Sequence, residues 1–154
     1  MKVIQQPLGP VQANCYLVME NHHALIIDPA DILPNLDEIL NQNDCTLDAI
    51  VLTHAHFDHI SGVDKIVNKF GCDVYLNPNE FDFLLDPDLN SSSAFYMDVT
   101  CNANAKPLIE GKNEIAGFEV EAIYCPGHSI GSTVLKIEDC LFTGDVLFQG
   151  SIGR

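Results

Sequence analysis

The sequence predicts one mixed α/β domain, on three observations. Short β-branched segments interleave along the chain with stretches whose apolar residues recur at helical spacing. The run Ala49-Ile50-Val51-Leu52 is apolar throughout, as a central strand covered on both faces would be. With 154 residues, 47% of them hydrophobic and 19% charged, the chain can bury one sizeable core and lacks the composition of a disordered segment.

Taken in order, residues 3–5, 15–19 and 24–27 read as strands, and Glu20-Asn21-His22-His23 between the last two reads as a hairpin turn. A helix follows, with Leu33, Leu36, Ile39 and Leu40 on one face and Asp31 near its start, where a carboxylate suits free amide groups. Residues 49–52 form the central strand. Beyond it Ile60, Val63, Ile66, Val67 and Phe70 keep helical spacing, with Gly71 as the stop. Residues 74–76 read as a strand and 79–85 as a short helix. Residues 86–107, with Ser91-Ser92-Ser93 and the polar mixture around Cys101, read as loop. Residues 118–123 alternate as a strand leading into a turn at His128, and 133–137 with 140–142 form a hairpin through Glu138-Asp139. No internal repeat or low-complexity tract divides the chain, so residues 1–154 are read as a single domain.

Charge narrows the function. Seven basic residues against 22 acidic ones leave a net charge of −15, a surface that repels phosphate backbones and anionic lipid, so no nucleic acid and no membrane partner is expected. The opening Met1-Lys2-Val3-Ile4-Gln5-Gln6-Pro7 turns polar too soon for a signal peptide, and no stretch approaches the roughly 20 apolar residues of a membrane helix. The six cysteines form no CxxC pair. Free, mostly buried thiols in a reducing cytoplasm are expected.

The chemistry is concentrated in Thr53-His54-Ala55-His56-Phe57-Asp58-His59, directly after the apolar run. Three imidazoles and a carboxylate within six residues form a dense set of metal donors. On an extended segment His54 and His56 project to the same side, and Asp58 and His59, at the start of the following helix, can face a second metal. His128 in Pro126-Gly127-His128-Ser129-Ile130-Gly131, Asp145 after Thr143-Gly144, and Asp28 before Pro29 read, each alone, as loop or turn residues.

His54-x-His56-x-Asp58-His59 resembles the signature of the metallo-β-lactamase superfamily, and the chain is similar to its type II glyoxalase-like branch of small hydrolases (hydroxyacylglutathione hydrolase-like). Asn14-Cys15-Tyr16-Leu17-Val18, Ile26-Ile27-Asp28-Pro29, Cys125-Pro126-Gly127-His128-Ser129-Ile130-Gly131-Ser132, Phe142-Thr143-Gly144-Asp145 and Gly150-Ser151-Ile152-Gly153-Arg154 resemble further blocks of the family, in the same order. The resemblance implies an αββα sandwich with metals at the strand ends between two sheets. His54, His56 and His128 would hold one ion, Asp58 and His59 the other, with Asp145 bridging and Asp28 supporting the ligands from behind. Zinc in a two-metal site is implied, with iron or manganese also suited to these donors. A water shared by two such ions drops in pKa from nearly 16 towards about 7. The hydroxide would attack the carbonyl of a small-molecule thioester of the S-lactoylglutathione type, while Asp58 guides a proton to the leaving group. The alternatives are a mononuclear-iron persulfide dioxygenase of the same fold and a metal-binding fragment without turnover; lactonase and β-lactamase activities rank below them.

Family members continue past the position of Arg154 and take a last metal histidine from that stretch. The chain is therefore expected to be truncated, by a trypsin-like nick in an exposed loop, with one tight and one labile metal. The sandwich is expected to be incomplete in its C-terminal part. Bare apolar sheet and an open edge would then invite a homodimer or a retained C-terminal fragment. His22 and His23 are left to the hairpin.

Overall fold

Asn21 and His22 both take positive φ, 49° and 70°, the pairing that a two-residue type I′ turn requires. In the computed structural model, which describes residues 1–154, this turn joins β2 (Ala13–Glu20) to β3 (His23–Ile27), with Glu20 opposite His23. The edge strand β1 (Lys2–Leu8) pairs antiparallel with β2. On the other side of β3, β4 (Thr46–Val51), β5 (Asp73–Leu76) and β6 (Ala105–Pro107) add in parallel, so the six-stranded sheet runs in chain order. Its crossovers carry α1 (Leu36–Gln42), then α2 (Phe57–Ile60) and α3 (Val63–Phe70). A second, antiparallel sheet contains β7 (Gly111–Ile115), β8 (Phe118–Tyr124), β9 (Thr133–Ile137) and β10 (Cys140–Phe142), in the order β10-β9-β8-β7. The two-stranded hairpin of β11 (Leu147–Phe148) and β12 (Ser151–Ile152) follows.

Alternation along β3 and β4 sorts the core into two layers. Ala24, Ile26, Ile50 and Leu52 face the helices and join Leu36, Leu40, Val63 and Ile66 in one cluster. Leu25, Ile27, Ala49 and Val51 face the other way, against Val120, Leu135 and Phe142 of the second sheet. The apolar run at 49–52 is thus buried on both faces, as its composition predicts. The result is a layered sandwich of helices, sheet and sheet. The outward face of the second sheet mixes exposed Ile123 and Leu141 with the ion pairs Lys112–Glu119 and Lys136–Glu121.

Several elements differ from their sequence readings. The first helix starts only at Leu36, behind Asn35 in left-handed backbone. Asp31 does not cap it; Oδ1 accepts instead from the Ile32 amide and from Lys65 Nζ, both at 2.8 Å. The helix read as continuous after Asp58 breaks at Ser61-Gly62. Gly62 presses on the loop before α1: its N–H donates to Pro29 O at 2.8 Å, and a Cβ there would lie 2.7 Å from both Pro29 O and Asp31 Cα. Residues 86–107 are loop and turn as read, except for the 3-10 turn Ser93–Phe95 and the closing strand β6, and the segment is pinned. Buried Asn90 donates to Phe83 O and Val99 O, and Asp64 accepts the amides of Asn102 and Ala103. β7 and the β11–β12 hairpin escape the sequence reading; Gly-Lys-Asn-Glu-Ile is too polar to announce a strand. All six cysteines are free, three of them buried, and burial pushes the Cys101 thiol up to about 12. No helix is long and apolar enough to cross a membrane.

Candidate metal centre

The carboxyl ends of the adjacent parallel strands β3 and β4 are tied together by Asp28, which is 1% exposed. Its Oδ1 accepts the Thr53 amide at 2.8 Å and its Oδ2 the Thr53 hydroxyl at 2.6 Å. The Thr53 carbonyl in turn accepts the Thr133 amide of the second sheet at 2.8 Å. Because the Thr53 hydroxyl is spent on Asp28, its oxygen, 3.1 Å from His54 Nδ1, accepts from that nitrogen and leaves Nε2 with the free lone pair. His56 remains extended as the residue before α2, and the first turn of α2 then presents Asp58 and His59. His128 enters from the turn between β8 and β9, and Asp145 from the turn after β10.

These three segments converge. His56 Nδ1 lies 2.8 Å from His128 Nε2. The His54 ring centroid is 4.7 Å from that of His56, 4.9 Å from His128 and 4.1 Å from His59. Two triplets of donor atoms each lie within 4.8 Å of one another: His54, His56, His128 and His54, His59, Asp145. Asp145 spans both groups, with Oδ1 3.3 Å from His59 Nε2 and Oδ2 3.4 Å from His128 Nε2. Asp58 flanks the second group, with its Oδ2 3.6 Å from His59 Nε2. His22 and His23 pair instead with Asp44 and Asp48.

The residues fit a metal. His54 Nε2 and both ring nitrogens of His59 are buried without a hydrogen-bond partner, an arrangement that costs about 1–3 kcal/mol per group unless something else satisfies them. Asp28 Oδ2 comes within 3.0 Å of His59 Nδ1, close enough for an ion pair but out of line for a hydrogen bond. Imidazoles and carboxylates without a thiolate suit zinc, iron or manganese in a reactive site. Burial drives His54 well below the usual imidazole range, and burial with His128 alongside brings His56 down to about 4. Both are neutral at pH 7 and ready to donate. Burial also opposes charge on His59, but Asp28 and Asp145 outweigh it and hold that ring up to about 10. Burial raises the Asp58 carboxyl; Asp145, although burial raises it too, is held down by His59.

A cavity of about 550 Å³ opens beside Asp58, His59 and Asp145, walled by Val11, Tyr16, Leu147 and Phe148. A smaller one of about 250 Å³ reaches His56 and His128 past Phe57 and Phe95, whose rings lie 5.0 Å apart. One residue that braces the loops of the site had no signal in the sequence. Glu80, in the 3-10 helix Pro78–Leu84, is fully buried and bonded to both histidine-bearing loops.

A family model described as the metallo-beta-lactamase superfamily matches residues 8–154. The probable metallo-hydrolase YqgX of Bacillus subtilis is 42% identical over 159 residues, covering 100% of this chain and 75% of its own. The hydroxyacylglutathione hydrolase GloC of Haemophilus influenzae is 31% identical, covering 96% and 73%. The crystal structure of BLEG-1 B3 metallo-beta-lactamase superposes with a TM-score of 0.91 at 41% identity, over 99% of this chain and 76% of that one. The structure of TTHA1623 in a di-iron-bound form gives 0.82 at 34% identity, over 98% and 76%. A histidine–carboxylate cluster at the strand ends of a two-sheet sandwich and a match that runs nearly end to end agree, and the chain belongs to the metallo-beta-lactamase superfamily of metallo-hydrolases.

Proposed function

We propose that this chain hydrolyses a thioester of the S-lactoylglutathione kind. The observation that carries the reading is the convergence of buried His54 and His59 with half-buried His56, His128 and Asp145, with His54 Nε2 and His59 Nε2 left unpartnered. The 31% identity to a hydroxyacylglutathione hydrolase supports a thioester substrate. His54, His56 and His128 would hold one ion, and His59 with Asp58 the other, Asp145 lying between them. When bound, such ions acidify a water and draw electron density from the substrate carbonyl.

The chain's own residues do the rest. Thr53 keeps the His54 ring turned with Nε2 inward, and Asp28 holds Thr53 and braces His59. Asp58, whose carboxyl burial raises, takes a proton from the attacking water and returns it to sulfur. A C–O bond forms, the C–S bond breaks, and the products are a carboxylic acid and a thiol. Val11, Tyr16 and Phe148 wall the cavity beside Asp58, where they offer apolar contact to the acyl group.

A second reading, β-lactam opening, is favoured by the 41% identity to BLEG-1 and uses the same attack on a carbonyl carbon. Thiol release from S-lactoylglutathione, set beside chromogenic β-lactam cleavage and oxygen uptake with glutathione persulfide, tests the proposal on protein loaded with zinc, iron or manganese. Thiol release that disappears in His54→Ala is the expected result. Metal-loaded protein that releases no thiol, or that consumes oxygen instead, overturns it.

A further inference from the structure

Glu80 lies on neither of the loops that bring the histidine triad together, yet it touches both. Its Oε2 accepts the Ala55 amide at 2.6 Å, and Ala55 sits between His54 and His56. Its Oε1 accepts the Ser129 hydroxyl at 2.5 Å and the Gly131 amide at 2.7 Å, in the loop that carries His128. One side chain, 0% exposed, therefore joins segments 25 positions before it and 49 to 51 after it.

The surroundings hold the carboxylate in place. Asn77 Oδ1 accepts the Asn79 amide and opens the 3-10 helix that carries Glu80, while Asn77 Nδ2 donates to Gly131 O at 3.0 Å. Ser132 Oγ accepts the Ser129 amide at 3.0 Å and lies 2.7 Å from Ser129 Oγ, which aims that hydroxyl at Glu80. Gly131 comes so close that a Cβ there would sit 2.6 Å from Glu80 Cγ. An acceptor-only group with two oxygens can serve three donors from two loops, which a neutral amide cannot do without turning its NH2 toward one of them.

We propose that Glu80 is a positioning residue: by clamping the Ala55 and Ser129–Gly131 loops together, it sets the separation of His54 and His56 from His128 and so tunes the first metal site. This rests on the reading that those three histidines hold an ion. Partners behind metal ligands change affinity by about 10- to 100-fold when removed, and Glu80 acts on both sides of the triad at once.

The test uses the whole chain with Co(II) and Zn(II) as probes. First-site affinity is read by competition with a chromophoric chelator, ligand geometry by the visible spectrum of the Co(II) form, and folding by urea unfolding without metal. Glu80→Gln is expected to unfold cooperatively but to bind the first ion about 10- to 100-fold more weakly, with a shifted Co(II) spectrum. Ser129→Ala, which removes one donor of the three, shows a smaller change in the same direction and keeps the test usable if Glu80→Gln does not fold. Parental affinity and spectrum in the folded variant, Glu80→Gln or in its place Ser129→Ala, overturn the proposal even if stability falls. Failure of the parent chain to bind any ion would instead overturn the metal-site reading itself.

Discussion

His56 Nδ1 and His128 Nε2 lie 2.8 Å apart although 72 positions separate them in the chain. His56 thus turns its Nδ1 toward the cluster, whereas His54, with Nδ1 engaged by Thr53, offers Nε2. The two histidines present different ring nitrogens to the same cluster. That arrangement has consequences that can be measured.

His54 belongs to both donor triplets. His54→Ala should therefore bring metal content below one ion per chain after gel filtration and lower turnover by more than about 100-fold, beyond the usual effect of residues behind the ligands. The metal-free fold should change by less than about 1 kcal/mol, because the lost ring nitrogen was buried and unpartnered and its removal offsets part of the cavity cost. Metal analysis and urea unfolding check both halves. Full metal occupancy in the variant would count against the assignment.

A proton should leave when the second ion binds. His56, down at about 4, is already neutral at pH 7.5, whereas His59, held up to about 10, carries a proton in the metal-free chain. Calorimetry in buffers of different ionisation enthalpy should detect about one proton released as the His59 side fills. The same raised group fixes a sign for stability without metal. Its contribution is complete below the ordinary histidine value of about 6.5 and is lost as pH rises towards about 10. The urea midpoint of the metal-free chain should fall between pH 7 and pH 10. The second ion should also be the labile one, since His59 must give up its proton before it can bind.

Asp28 is the sole acceptor for the Thr53 amide and hydroxyl and stands beside buried His59. Asp28→Ala leaves all three without it and should cost about 3–5 kcal/mol in denaturant unfolding, the range for breaking a buried pair. Asp28→Asn keeps one acceptor and should cost less. A loss below about 1 kcal/mol for the alanine variant would show that the site relaxes around the gap.

Gly62 separates α2 from α3 because backbone atoms of Pro29 and Asp31 occupy the space of a side chain. Gly62→Ala should destabilise by about 1–3 kcal/mol, as overpacking does, and thermal unfolding with and without metal would measure it. Unchanged stability would mean that the Asp28–Asp31 loop yields easily.

Much of the layout was legible in the chain. The apolar run at 49–52 announced a central strand, Asn21-His22 a tight hairpin, and the histidine motif the site. Each is a local signal, in which the residue types alone restrict backbone or burial. What escaped was set by neighbours distant in sequence. Gly62 interrupts a helical pattern because another loop lies against it, and β7 is a strand because β8 pairs with it. Nothing in Pro78-Asn79-Glu80-Phe81 marks Glu80 as a clamp.

The sequence by itself determined which side chains could bind a metal and which strand delivers the first of them, since donor chemistry and strand alternation are properties of residues and their immediate spacing. Only the tertiary structure decided that His54 lies within reach of two donor groups, that Asp145 spans them, and that Glu80 ties the loops. The reason is distance: these relations depend on how two sheets pack and where three loops meet, and a few ångströms between groups many residues apart are written in no local pattern.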